Sequence, residues 1–125
     1  MARVLVVEDN LANQRLMRML LESMGHTVAC AYTGEEGWAL VQGNPFDLAL
    51  LDMHLPGLDG FELTRRIRRL RGSSLSVIAV TAMAMDGDKA RVMEAGCDDY
   101  ISKPISVPDL RKCVEAYLPN QGGPP

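Results

Sequence analysis

The feature that most constrains this chain is an alternation of two hydrophobic periods. Three runs rich in Val, Leu and Ile, at residues 3–7, 47–51 and 76–80, each end abruptly in a polar or charged residue. Runs so uniformly apolar leave no side for water, which is the pattern of strands buried on both faces in a parallel sheet. Residues 27–32 and 99–102 are shorter and more mixed, and suit the two edges of such a sheet.

Between these runs the spacing changes to that of helices. In 11–24, Leu16, Met17, Leu20, Leu21 and Met24 recur three and four apart, and Gly25 stands where a C-terminal cap belongs. Thr33-Gly34-Glu35-Glu36 is a capping-box start, Trp38 and Val41 continue the apolar side, and Gly43 with Pro45 ends it. Asp59 can cap a third helix carrying Phe61, Ile67 and Leu70, and Asp86 opens a fourth that stops at Gly96. Ser106-Val107-Pro108-Asp109 starts a fifth with Leu110, Val114 and Tyr117, closed by Pro119. Strand then helix, five times over, predicts right-handed crossovers on a parallel sheet, a doubly wound α/β domain. Residues 119–125 lack apolar periodicity and read as a flexible tail after a domain of 1–118.

Composition closes off other classes. At 125 residues there is room for one domain, and 47% hydrophobic with 23% charged residues excludes disordered or collagen-like chains. A formal charge of −3 gives no global pull toward nucleic acid or anionic membrane. No membrane span or secretion leader is evident, so a cytoplasmic location is expected. Cys30, Cys97 and Cys113 are odd in number and widely separated, and read as buried thiols.

The chemistry collects at the strand ends. Glu8, Asp9 and Asn10 follow the first strand, Asp52 the third, Thr81 the fourth and Lys103 the fifth. In an open doubly wound sheet the carboxyl ends of the strands share one edge, with a crevice where the winding reverses, so these groups should converge. One acid after a strand commonly caps the next helix; acids after two strands, a hydroxyl after a third and a lysine after a fourth are not explained that way. Clustered carboxylates cannot all stay ionised cheaply without a cation. Hard oxygen ligands without a His or Cys cluster favour Mg²⁺, or Mn²⁺, over zinc. Lys103 and Thr81 would complete a phosphate receptor. Asp52 is the natural nucleophile, because an ionised carboxylate attacks phosphorus without a general base, and the others would stabilise spreading charge.

Val6-Val7-Glu8-Asp9-Asn10, Asp52-Met53-His54-Leu55-Pro56-Gly57-Leu58-Asp59-Gly60, Ala79-Val80-Thr81-Ala82 and Ser102-Lys103-Pro104 resemble the receiver domain of two-component response regulators, over about residues 2–118. Thr81-Ala82-Met83-Ala84-Met85 and the segment 96–106 are similar to single-domain regulators of the DivK type and to receivers of hybrid histidine kinases. The resemblance implies a flavodoxin-like fold, a five-stranded parallel sheet of order 2-1-3-4-5 with five helices. It implies that Asp52 accepts phosphate from a histidine kinase or histidine phosphotransfer protein. Asp9 and Asp52 would bind Mg²⁺ directly, Glu8 through water and His54 through its main-chain carbonyl. It also implies a cis Lys103–Pro104 bond. In the expected switch, phosphate on Asp52 draws the Thr81 hydroxyl inward and Tyr100 follows, altering the face of the fourth helix, fifth strand and fifth helix that binds a downstream protein. Such a domain is no conventional enzyme, and works as a monomer or weak dimer.

A haloacid-dehalogenase-type phosphatase also uses Asp, Mg²⁺, Thr and Lys. It wants a second acid two residues after the nucleophile, where this chain has His54, and a cap insertion that is missing. A pseudo-receiver is disfavoured because Asp9, Asp52, Thr81 and Lys103 are all present. The basic run 65–71 reads as a solvated helix face with Ile67 and Leu70 turned inward and Glu62 placed to pair with Arg66; a docking surface for an acidic partner stays open. His26 reads as a surface residue, and His54 either lies beside the phosphate or faces solvent. Met83 and Met85 are either core filling or an adaptable docking patch, while Met17, Met24 and Met93 read as core.

Overall fold

The structure is a computed structural model that describes residues 2–82 and 86–118. Ten elements alternate without exception: β1 (Arg3–Val7), α1 (Leu11–Ser23), β2 (Thr27–Ala31), α2 (Gly34–Gly43), β3 (Leu48–Asp52), α3 (Gly60–Arg71), β4 (Ser76–Thr81), α4 (Asp86–Ala95), β5 (Asp99–Ser102) and α5 (Val107–Tyr117). All strand pairings are parallel and the order is β2-β1-β3-β4-β5. The winding reverses between β1 and β3, as the doubly wound reading requires.

Alternation along each strand feeds two apolar layers. Leu5, Val7, Ala49, Leu51, Val77 and Ala79 pack with Val41, Phe61, Leu63, Ile67 and Val92, which places α2, α3 and α4 on one face. Val4, Val6, Leu48, Leu50, Ile78 and Val80 pack with Met17, Leu21, Leu110 and Val114, which places α1 and α5 on the other. The helix starts follow their capping residues. The side chains of Asn10, Thr33, Asp59 and Ser106 accept from the backbone N–H three residues on, and Thr33 with Glu36 closes a full capping box.

Several side chains depart from the sequence reading. β3 runs one residue later than 47–51, so Asp52 ends the strand, and β4 extends to include Thr81. Tyr32 falls outside β2 and is 49% exposed. Leu70 is 47% exposed because, in the last turn of α3, it borders an open groove toward α2 instead of a covering element. Met93 is 42% exposed: α4 turns Val92 and Ala95 to the core, and a residue one step on from Val92 points about 100° away. His26 is buried, its Nδ1 accepting from the Ala2 N–H at 3.3 Å, because it lies at the start of β2 where the two N-terminal strands come together. Burial lowers its pKa from the ordinary histidine value. Cys97 is buried as read, whereas Cys30 and Cys113 are only half-buried. Met83, Met85 and 119–125 lie outside the described residues. Among the described residues no helix is long and apolar enough to cross a membrane.

Candidate functional site

Strand register alone brings the chemical groups level. Val7 pairs Leu51, so Glu8 and Asp52 are each one step further along neighbouring strands. Asp52 pairs Val80 and Thr81 pairs Ser102, which puts Lys103 one step past Thr81 on the next strand. The Lys103 N–H donates to the Thr81 carbonyl at 2.7 Å, and the Lys103–Pro104 peptide that follows is cis.

The side chains meet at this edge. Lys103 Nζ lies 2.9 Å from Glu8 Oε1 and donates to Asp52 Oδ2 at 3.1 Å. The second oxygen of each acid is held by a main-chain donor: Asp52 Oδ1 accepts from the His54 N–H at 2.9 Å, and Glu8 Oε2 from the Asn10 N–H at 3.1 Å. Glu8 and Asp52 are buried, Asp9 is exposed, and one oxygen from each of the three lies within 4.8 Å of the others. Glycine at position 60 allows this crowding, because a Cβ there would overlap the Asp52 carbonyl oxygen. The loop between β3 and α3 is strapped to α2 by Glu35, whose Oε2 accepts from the Leu58 N–H at 3.1 Å while Gly57 takes a left-handed φ of +74°.

Three carboxylates face one ammonium, so the site carries excess negative charge. The Lys103 ammonium lies close to Glu8 Oε1, yet among the described residues that buried oxygen has no hydrogen bond. Burial, and secondarily the neighbouring Asp52, outweighs Lys103 and the Asn10 N–H and raises the Glu8 carboxyl to about 7. Burial also works against the Lys103 ammonium, but Glu8 and Asp52 overcome it and raise its pKa. An all-oxygen donor set with one unsatisfied buried oxygen and surplus charge fits a hard divalent cation.

Thr81 is buried at the end of β4. It follows Ala79 by two residues and projects from the same sheet face, diagonally across from Tyr100, the partner of Ala79. Tyr100 is half-buried, with Lys89 Nζ 5.7 Å from its ring centre. His54 is exposed and meets Phe61 edge-on at 6.3 Å, while the Arg91 guanidinium lies 4.5 Å over that ring. Sequence reasoning missed Gln14, which is buried and donates through Nε2 to the Glu8 and Ala31 carbonyls at 3.1 and 3.2 Å, joining β1 and β2 beneath the site. A signal existed, since Gln14 stands three residues before Met17 on the buried stripe of α1.

Residues 4–115 match the family described as the response regulator receiver domain. The chain is 42% identical to the polar-differentiation response regulator DivK of Brucella ovis, covering 92% of this chain and 94% of that protein. It is 40% identical to the sensor histidine kinase GacS of Pseudomonas protegens, over 96% of this chain but only 14% of that protein's length. A similar solved structure is the receiver domain of a Pseudomonas aeruginosa sensor histidine kinase with a magnesium ion coordinated in its active site cleft. It has a TM-score of 0.85 and 33% identity, with 94% of this chain and 97% of that one covered. With its sheet order, its strand-end acids and these likenesses in agreement, the chain belongs to the response regulator receiver domains of two-component signalling.

Proposed function

We propose that this chain is a phosphoacceptor switch in which Asp52 takes a phosphoryl group from a phosphohistidine on a histidine kinase or histidine phosphotransfer protein. The observation that carries this reading is the Lys103 ammonium shared between Glu8 and Asp52 beside Asp9, a cluster that is short of positive charge and built at one sheet edge. The unit of the switch is 1–118. A bond forms between an Asp52 carboxylate oxygen and phosphorus as the donor's N–P bond breaks. Asp52 needs no base for this, because Lys103 and the His54 N–H hold it as an oriented carboxylate. Asp9 and Asp52 would hold Mg²⁺, or Mn²⁺, directly, with Glu8 through water and the His54 carbonyl. The bound ion supplies charge neutralisation for the equatorial phosphoryl oxygens. The Lys103 ammonium and the Thr81 hydroxyl meet the same charge from the protein side.

Tyr100 shares a sheet face with Thr81, which supports a relay in which Thr81 moves toward the phosphoryl group and Tyr100 follows. The output surface of this reading is the face of α4, β5 and α5. A groove of about 630 Å³ lined by Tyr100, Lys103, Pro104, Lys112 and Cys113 lies on the β5 and α5 part of it. The setting is cytoplasmic, the assembly a monomer or weak dimer, and the target a protein, with neither nucleic acid nor membrane engaged.

Incubation with acetyl phosphate and a magnesium salt tests this reading by intact-mass spectrometry. One labile phosphoryl group per chain, absent in Asp52→Asn, is expected. Continued turnover of many small phosphate esters would instead establish a phosphatase. Tyr100→Ala should leave labelling intact and weaken the dependence of partner binding on phosphorylation.

A further inference from the structure

The arginine run of α3 divides into two sets with different work. Arg68 donates to the Gly96, Gly72 and Leu75 carbonyls and to Asp98, and Arg71 donates to the Val41 and Asn44 carbonyls, so both are committed to closing the fold. Arg65, Arg66 and Arg69 all turn to one carboxylate, Glu62, at 3.6, 3.3 and 3.2 Å. One carboxylate balances one guanidinium, which leaves a local excess of about two positive charges on a chain whose formal charge is −3.

Two of these guanidiniums, Arg66 and Arg69, border an apolar centre, and Arg65 stands beside them through the shared Glu62. Trp38 of α2 and Leu70 of α3 line a groove of about 380 Å³ with Arg66 and Arg69, and the Arg66 guanidinium stands 5.9 Å from the Trp38 ring centre. Trp38 is half-buried, and tryptophan and arginine are among the residues that dominate binding energy at protein interfaces. The groove follows two helices packed side by side, which suits a third helix laid along them. It lies on the flank of α2 and α3, away from the face of α4, β5 and α5.

We propose that the α2–α3 groove docks an acidic amphipathic helix of a partner protein, with its apolar side on Trp38 and Leu70 and its carboxylates on Arg65 and Arg69. Charge complementarity selects this occupant. A polyanionic duplex gains from long basic stripes, and here the positive excess is small and its centre apolar.

Trp38 is the sole tryptophan of the chain, so its emission reports on this groove directly. The full chain is titrated with three labelled probes: an acidic peptide of about 15 residues with leucines spaced three and four apart, the same peptide with lysine for glutamate, and a duplex DNA oligonucleotide. The acidic peptide should bind most tightly, shift Trp38 emission to the blue and weaken as salt is raised. Arg65→Glu/Arg69→Glu should weaken it about tenfold or more, and Leu70→Ser should weaken it without changing the salt dependence. Acetyl phosphate labelling of the variants, unchanged from the parent, shows that they remain folded. The proposal is overturned if the acidic and basic peptides bind equally, or if the arginine variant binds the acidic peptide as the parent does. It is equally overturned if the duplex binds more tightly with the same arginine dependence, or if sedimentation shows the chain occupying this face with a second copy of itself.

Discussion

The two edges of one sheet treat charge in opposite ways. At the amino edge Arg68 is enclosed by the Gly96, Gly72 and Leu75 carbonyls and pairs with Asp98 at 2.6 Å, and Asp98 in turn accepts from the Val77 N–H at 2.8 Å. Donors and acceptors balance, and the cluster ties the end of α3 and the turn after α4 to the start of β4. At the carboxyl edge Glu8 and Asp52 share Lys103 beside Asp9, and among the described residues a buried Glu8 oxygen has no hydrogen bond. A cation among oxygen acceptors makes a balanced structural joint at one end and an unbalanced electrostatic cluster at the other. Carboxylates gathered against the pull of burial are retained at a cost to stability, which is a mark of functional sites.

The sharpest way to break this contrast is to invert it. Arg68→Ala should destabilise the chain by about 2–3 kcal/mol in urea unfolding, because several carbonyls and Asp98 lose their donor, while Asp52 still accepts phosphate. At the other edge Glu8→Gln should act in the opposite direction, stabilising the metal-free chain at pH 8 by about 2 kcal/mol and weakening its affinity for magnesium about tenfold. A loss of stability in both variants would erase the distinction.

Titration sharpens it further. Glu8 titrates near 7 in the folded chain against 4.5 as its ordinary value, so the folded state binds this proton more tightly. The metal-free chain therefore loses stability as pH rises from about 4.5 to 7, by about 3 kcal/mol in all, and keeps that loss above 7. His26 works the other way. Its folded pKa is lowered, so the unfolded chain protonates first and stability falls as pH drops below 6.5. Urea midpoints of the parent minus those of Glu8→Gln, and of His26→Gln, across pH 4 to 8 separate the two slopes. The smallest expected effect is at His54: exposed beside Phe61, it should restrict water, so that His54→Ala hydrolyses its phosphorylated form a few-fold faster.

Much of this was legible before any coordinates. The apolar runs and caps named every element, and the rule that strand ends share one edge assembled Glu8, Asp52, Thr81 and Lys103 from positions 95 residues apart at the extremes. What periodicity supplies is an angle, not a neighbour. Leu63 and Leu70 lie seven residues apart on nearly one line of α3, yet Leu63 is fully buried and Leu70 is open, because the last turn lies beside a groove and not under another element. Gln14 and His26 show the converse. Polar types read as solvated until partners far along the chain, the Ala31 carbonyl and the Ala2 N–H, make their burial tolerable. The division of the arginine run into Arg68 and Arg71 against Arg65, Arg66 and Arg69 is equally invisible in sequence, since it depends on where carbonyls from other elements fall.

The measurement that bears most directly on the unbalanced edge is the urea midpoint of the chain at pH 8 with and without magnesium. The account predicts that magnesium raises the parent's midpoint, in step with its concentration over its dissociation constant, and that Asp52→Asn loses most of that rise while Arg68→Ala retains it. A parent midpoint indifferent to magnesium, or an equal rise in Asp52→Asn, would contradict it.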